Sequence, residues 1–159
     1  KKFSKGLKPV KAAQELAKRK ALVVAAKNPG ALVIGADQVL ECGGKIFSKA
    51  RDKKDAEKKL KLLRGKTHHL ISAVYVVQDK KILWAHTGKA KLRMHNFDDA
   101  FLKSYMAKAG PALTRAVGAY ELEGAGAWLF KSVHGDYFTI LGLPLLALLK
   151  FLKSYGVKP

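Results

Sequence analysis

Acids are scarce in this chain. Twelve Asp and Glu stand against 31 Lys and Arg in 159 residues, so the formal charge is 31 − 12 = +19 at pH 7. An excess of that size implies an anionic partner (nucleic acid, acidic lipid or a phosphorylated small molecule) and says nothing about fold. Cysteine is nearly missing: Cys42 alone excludes an intrachain disulfide and fits a reducing compartment. Long apolar runs are missing as well. The longest, "ILGLPLLALL" from Ile140 to Leu149, is too short to span a bilayer. The opening "KKFSKGLKPVK" lacks the apolar centre of a signal peptide. No repeat, linker or low-complexity segment interrupts the sequence. These absences predict a soluble, cytoplasmic protein with no membrane partner.

What is present suffices for one domain over residues 1–159, with 48% hydrophobic residues to form its core. Pro9 and "NPG" (Asn28–Gly30) bracket a helix whose apolar stripe includes Leu16, Ala17, Ala21 and Val24. "ALVIGAD" reads as a buried strand, and "VLECGGKIF" as a hairpin turning on Gly-Gly. "RDKKDAEKKLKLLRG" is a cationic helix with Ala56, Leu60 and Leu63 inward and Gly65 as its stop. A long antiparallel hairpin follows around Asp79-Lys80, then a helix opened by Asp98 and Asp99 and closed by Gly110. "GAGAWLFKSVHGDYFTIL" mixes strand and turn signals, and "GLPLLALLKFLKSYG" predicts a terminal helix with its apolar face buried. The order αββαββαβα predicts an α/β domain with a mixed sheet flanked by helices.

Few side chains stand out chemically. Asp52, Asp55, Glu57, Asp98 and Asp99 lie in first turns of helices, where carboxylates suit the dipole. Asp136 in "VHGDY" organises its own turn. Asp37, at a strand end where α/β ligand sites collect, reads equally as a site acid or as a turn cap. Glu123, beside Gly124 and Gly126, is balanced in the same way between function and turn formation. "RGKTHH" resembles the tail of a phosphate-binding loop but has Leu60 where the first glycine belongs, and "GAG" at 124–126 lacks the third glycine of a dinucleotide fingerprint. His68 and His69 point to opposite faces of a strand, and His86, His95 and His134 have no ligand-like spacing. Cys42 has no evident base beside it and reads as inert. Most lysines of the cationic helix form a solvated face. Lys20, close to the first helix's apolar stripe, and Lys49, just after the hairpin, are different. A carboxylate that holds a divalent cation or orients water, with ammonium groups nearby, would suit a polyphosphate.

The blocks "ELAKRKALVVA", "LVIGADQVL", "GKIFSKARD", "LLRGKTHHLISAV", "VGAYELEGAGAWLF" and "GDYFTILGLPLLALL" occur in the order found in the Maf family, once called septum-formation proteins. They cover Glu15 to Leu149, and six in register are highly specific. The resemblance implies a hydrolase of acid anhydrides: a nucleoside triphosphate pyrophosphatase that uses Mg²⁺ or Mn²⁺ to release pyrophosphate and a monophosphate. It also implies a homodimer, a link to restraint of cell division, and a fold with a nucleotide cleft like that of the inosine triphosphate pyrophosphatases. Residue by residue, Lys20 would contact the triphosphate, Asp37 would bind metal or activate water, and Lys49 matches the lysine usually followed by proline, here Ala50. Gln38 and Glu123 would bind the substrate, and together they look like the branch acting on 7-methyl-GTP, where the branch acting on dTTP and UTP has Gln in place of Glu123. An acceptor-only carboxylate suits guanine's two adjacent donors, whereas an amide suits uracil and thymine.

Two departures accompany the likeness. His95 stands where the family often has Arg. The family's first strand and its Ser-Pro-Arg-Arg-like phosphate loop, about thirty-odd residues for a domain of the usual size, have no counterpart, which predicts reduced or no turnover for residues 1–159. Two other functions stay in view: a dTTP/UTP pyrophosphatase, and an inactive basic module binding nucleic acid or other polyanions. A reader of single strands needs exposed aromatics among its cations. Trp84, Trp128, Tyr75 and Phe130 lie in strand-like apolar runs and are expected in the core.

Overall fold

The computed structural model describes residues 6–159; the first five, which include the start of the basic opening stretch, lie outside the described residues. The elements are α1 (Pro9–Ala25), β1 (Leu32–Cys42), β2 (Lys45–Phe47), α2 (Lys53–Leu63), β3 (Thr67–Gln78), β4 (Lys81–Met94), α3 (Asp99–Ala109), α4 (Ala112–Arg115), a 3₁₀ helix (Ala125–Leu129), β5 (Phe130–His134), α5 (Tyr137–Leu141) and α6 (Leu145–Ser154). The strands form one five-stranded sheet in the order β2-β1-β3-β4-β5. The α/β class with a helix-flanked sheet is as expected. Within the sheet, however, the pairings are antiparallel rather than mixed: hairpins join β1 to β2 and β3 to β4, and β5 also runs antiparallel to β4 although α3 and α4 lie between them.

The chain divides into two compact units. The first comprises the chain up to Gln38, Ile71–Lys89 and Asp136–Pro159. Its α1 buries an alanine stripe, Ala12, Ala13, Ala17, Ala21 and Ala25, so the helix backbone lies close to the sheet. Gly35 makes that approach feasible: a Cβ there would lie 2.6 Å from Ala21 Cβ. Alternation along β1 gives its two faces different neighbours. Val33 packs with Ala21, Ala25 and Val77, whereas Leu32 and Ala36 pack with Val74, Val76 and Leu148 of α6. The expected burial of the α6 apolar face is met by Leu148, with Phe151 and Leu152 partly covered; Leu146 and Leu149 are exposed.

The second unit comprises Val39–Leu70 and Ala90–Gly135. The β1–β2 hairpin turns on Gly43 and Gly44, with φ of +58° and +78°, and Cys42 pairs with Lys45. Two successive positive φ values give the turn whose twist matches a tight hairpin, which is why two glycines stand there. Asp52 and Asp98 cap α2 and α3 by accepting the N–H of Asp55 (2.7 Å) and Phe101 (2.8 Å). As expected, Ala56, Leu60 and Leu63 are the buried residues of α2, which packs against α3 and α4. Trp128 departs from expectation. Residues 125–129 form a 3₁₀ helix, whose three-residue period turns Gly126 and Leu129 inward and leaves the Trp128 side chain 75% exposed.

Candidate functional site

In the first unit, Lys20 and Asp37 meet. The Lys20 ammonium donates to Asp37 Oδ1 and to the Ala36 carbonyl at 3.1 Å. Lys20 is on the last turns of α1, one residue before Ala21, which lies against Gly35; Asp37 lies two residues further along β1 on the same face, in the middle of a strand that runs on to Cys42 and not at its end as expected. The alanine stripe and Gly35 therefore set the separation of the pair. The Asp37 side chain is only 11% exposed, and its Oδ2 is buried with no partner, whereas Lys20 is 57% exposed and reaches in from solvent. A buried carboxylate oxygen with no donor is costly, so this atom is suited to a ligand.

Gln38 faces the other side of β1. Its amide nitrogen donates to Ser72 Oγ (2.9 Å) and to the carbonyls of Thr139 (3.0 Å) and Ile140 (2.9 Å). Ser72 Oγ also donates to the Thr139 carbonyl (2.7 Å). Asp136 Oδ2 accepts from the Thr139 N–H (2.8 Å) and hydroxyl (2.9 Å), the turn-organising role expected of it. Ser72, which is buried, had no sequence signal beyond its place in an apolar strand.

Lys49 and Glu123 belong to the second unit. Lys49 is exposed, and its loop is held by another lysine: Lys59 of α2 donates to the Lys49 carbonyl (2.9 Å) and reaches Ser48 Oγ (3.4 Å). Lys59 is anchored in turn by Asp55 Oδ2 at 2.9 Å and is only 14% exposed, unlike the solvated helix face expected for its neighbours. The Arg51 backbone N–H, and then Lys59, hold the Asp55 carboxyl below the usual carboxylate range. The one available sign of this role was the four-residue spacing of Asp55 and Lys59. Ala50, in place of the family's proline, is buried. Glu123 is exposed in the turn before the 3₁₀ helix, where a side chain on Gly126 would collide with the Glu121 backbone. Gly126 thus has a steric cause, and the loop offers the Glu123 carboxylate outward.

The histidines separate as expected. His68 is buried with Nε2 2.8 Å from the Tyr120 hydroxyl, while His69 Nδ1 is 3.0 Å from Glu41 Oε2. Burial pushes the Cys42 thiol up, consistent with an unreactive side chain. Among the described residues, no three or more His, Cys, Asp or Glu come together as a metal cluster.

The family profile for Maf-like proteins matches residues 1–155. The chain is 53% identical over 148 residues to a nucleoside triphosphate pyrophosphatase of Paramagnetospirillum magneticum, covering 93% of this chain and 76% of that protein. It is 46% identical over 151 residues to a 7-methyl-GTP pyrophosphatase of Brucella abortus, and 45% identical over 151 residues to one of Rhizobium etli, each covering 95% of this chain and 76% of the relative. The chain belongs to the Maf family.

Proposed function

We propose that this protein is a nucleoside triphosphate pyrophosphatase that prefers 7-methyl-GTP. The observation that carries the reading is the Lys20–Asp37 pair with its free, buried Oδ2. Relatives named for nucleoside triphosphates and for 7-methyl-GTP support the reaction and the base. Water attacks the α-phosphorus, the α–β anhydride bond breaks, and pyrophosphate leaves with the electron pair. Lys20, half in solvent, neutralises phosphate oxygens while fixing the orientation of Asp37. Lys49, on the loop braced by Lys59, supplies a second ammonium, and Glu123 accepts from guanine's N1–H and amino group. Gln38 contributes from behind by fixing the strand that carries Asp37.

A divalent cation fits this donor set. One carboxylate oxygen without a partner, completed by substrate phosphates and retained waters, is how Mg²⁺ is usually held, so the lack of a multi-carboxylate cage among the described residues is no obstacle. Asp37 would hold Mg²⁺ or Mn²⁺ directly or through one of its waters, and the metal when bound polarises phosphoryl oxygens. The proposal further takes the protein as a cytoplasmic homodimer; no helix among the described residues is long and apolar enough to cross a membrane.

The test is pyrophosphate release from a panel of nucleoside triphosphates, with and without metal, for the wild type and Glu123→Gln. The expected result is metal-dependent hydrolysis with 7-methyl-GTP ahead of UTP and dTTP, and a narrower margin in the variant. A buried hydrogen-bond mismatch discriminates by orders of magnitude, so a wild type that favours UTP overturns the base assignment. Metal-dependent binding of 7-methyl-GTP without release is the reduced turnover expected of residues 1–159; neither release nor metal-dependent binding of any of these triphosphates overturns the reaction.

A further inference from the structure

Within the second unit, Lys91 and Arg93 of β4 and His95 just beyond it stand at alternate positions, all exposed, while the intervening Leu92 and Met94 are buried, as is Ala90 before them. The edge strand β5 extends this face. Lys91 pairs with His134 and Arg93 with Ser132, so these side chains are cross-strand neighbours. The ladder continues past β4, where the His95 N–H donates to the Leu129 carbonyl at 2.9 Å, and this brings Trp128 to the end of the cationic row. Trp128 lines an open depression of about 410 Å³ together with His95, Phe97 and Phe101, the two phenylalanines stacked at 5.5 Å. A large exposed ring at the end of a row of cations is the pairing that single-stranded nucleic acid uses: bases on an aromatic platform, phosphates on the cations.

We propose that this face binds single-stranded nucleic acid, with a base stacked on Trp128 and successive phosphates on Arg93 and Lys91. Two residues of an antiparallel strand span about 6.8 Å, which sets the two cations one nucleotide apart along an extended strand. Ser132 and His134 add donors beside them. The carboxylate lining the depression, Asp98, is engaged as the cap of α3 through the Phe101 N–H. Pairing with a second copy through the β5 edge is disfavoured by Lys131, an exposed cation at the register shift between β4 and β5. The surface is independent of the pyrophosphatase reading, because none of its residues belongs to that site.

The experiment is fluorescence anisotropy of a labelled twelve-nucleotide oligothymidylate titrated with the whole chain in EDTA, over a series of NaCl concentrations. Trp128→Ala is expected to weaken binding about five- to a hundred-fold, and Trp128→Phe to restore most of it. Lys91→Ala and Arg93→Ala should each flatten the slope of log K against log salt by about 0.7. Circular dichroism confirms that the variants fold, which the exposure of Trp128 favours. Absence of binding, or affinity and slope unchanged in the variants, overturns the proposal and assigns any attraction to the general +19 charge. If Trp128→Ala instead lowers the mass by light scattering while oligonucleotide affinity holds, the face is covered by a second copy, and the proposal fails.

Discussion

Gly35 of β1 and Ala21 of α1 lie so close that a methyl group on the glycine would sit 2.6 Å from the alanine's own. The contact determines where Lys20, the residue before Ala21 on the helix, enters the sheet face that carries Asp37. Gly35→Ala therefore has two expected effects. Overpacking should cost about 1–3 kcal/mol in urea denaturation, and the displaced helix should separate Lys20 from Asp37 and lower kcat. A variant with native stability and native turnover would show that this approach does not set the pair.

The pair itself should matter far more to turnover than to stability. An ion pair with one exposed partner contributes at most about 1 kcal/mol, or a few degrees in Tm. Asp37→Asn should thus melt within a few degrees of the wild type, whereas Lys20→Met leaves the largely buried Asp37 carboxylate without its ammonium partner and should cost about 1–3 kcal/mol. Their kcat should drop about a hundredfold or more, the usual scale for losing a preorganised charge or a proton acceptor. Asp37→Asn should also weaken the response to Mg²⁺ in a titration of activity.

Lys59→Met tests the brace behind Lys49. Loss of the bonds to Asp55, Ser48 and the Lys49 carbonyl should lower stability in urea denaturation, chiefly because the Asp55 carboxylate, 18% exposed, stays behind without its ammonium partner. If Lys49 acts on the triphosphate, steady-state kinetics should show KM raised several-fold. A Lys49→Met variant would share that KM change without the loss of stability, which separates binding from bracing.

His68 predicts an acid limit to stability. Burial, with a smaller contribution from neighbouring His69, depresses its pKa from 6.5 to about 4 in the folded chain, against the opposing pull of Glu41. The unfolded chain then takes up the proton first as pH falls. The stability linked to His68 is complete above about pH 7 and is lost between about pH 6.5 and 4, amounting to about 3 kcal/mol. Urea denaturation across that range should show the decline, and His68→Gln, which can still bond Tyr120, should flatten it.

Local signals found most elements. Pro9 and the glycine stops bound helices because proline and positive φ act within one or two residues, and Gly43-Gly44 sets its hairpin for the same reason. Asp52, Asp98 and Asp136 were readable as caps because a cap reaches only three residues ahead. The antiparallel course of the whole sheet was not readable, since strand neighbours are chosen over long separations. Trp128 was misplaced because five residues fit a strand's alternation and a 3₁₀ turn equally well; the collision awaiting any side chain at Gly126 shows how tightly that loop is folded back on itself. Lys59 looked like its solvated neighbours until the loop at Ser48 and Lys49 was folded against it.

The sequence by itself determined the family, the charge and the residue types of the site, because ordered motif blocks and composition are properties of the chain alone. Only the tertiary structure decided that Asp37 keeps one oxygen free, that Gln38 turns away to anchor α5, and that Trp128 faces solvent. The physical reason is that orientation and burial depend on residues distant in the chain meeting in space, and the spacing of near neighbours carries no record of that meeting.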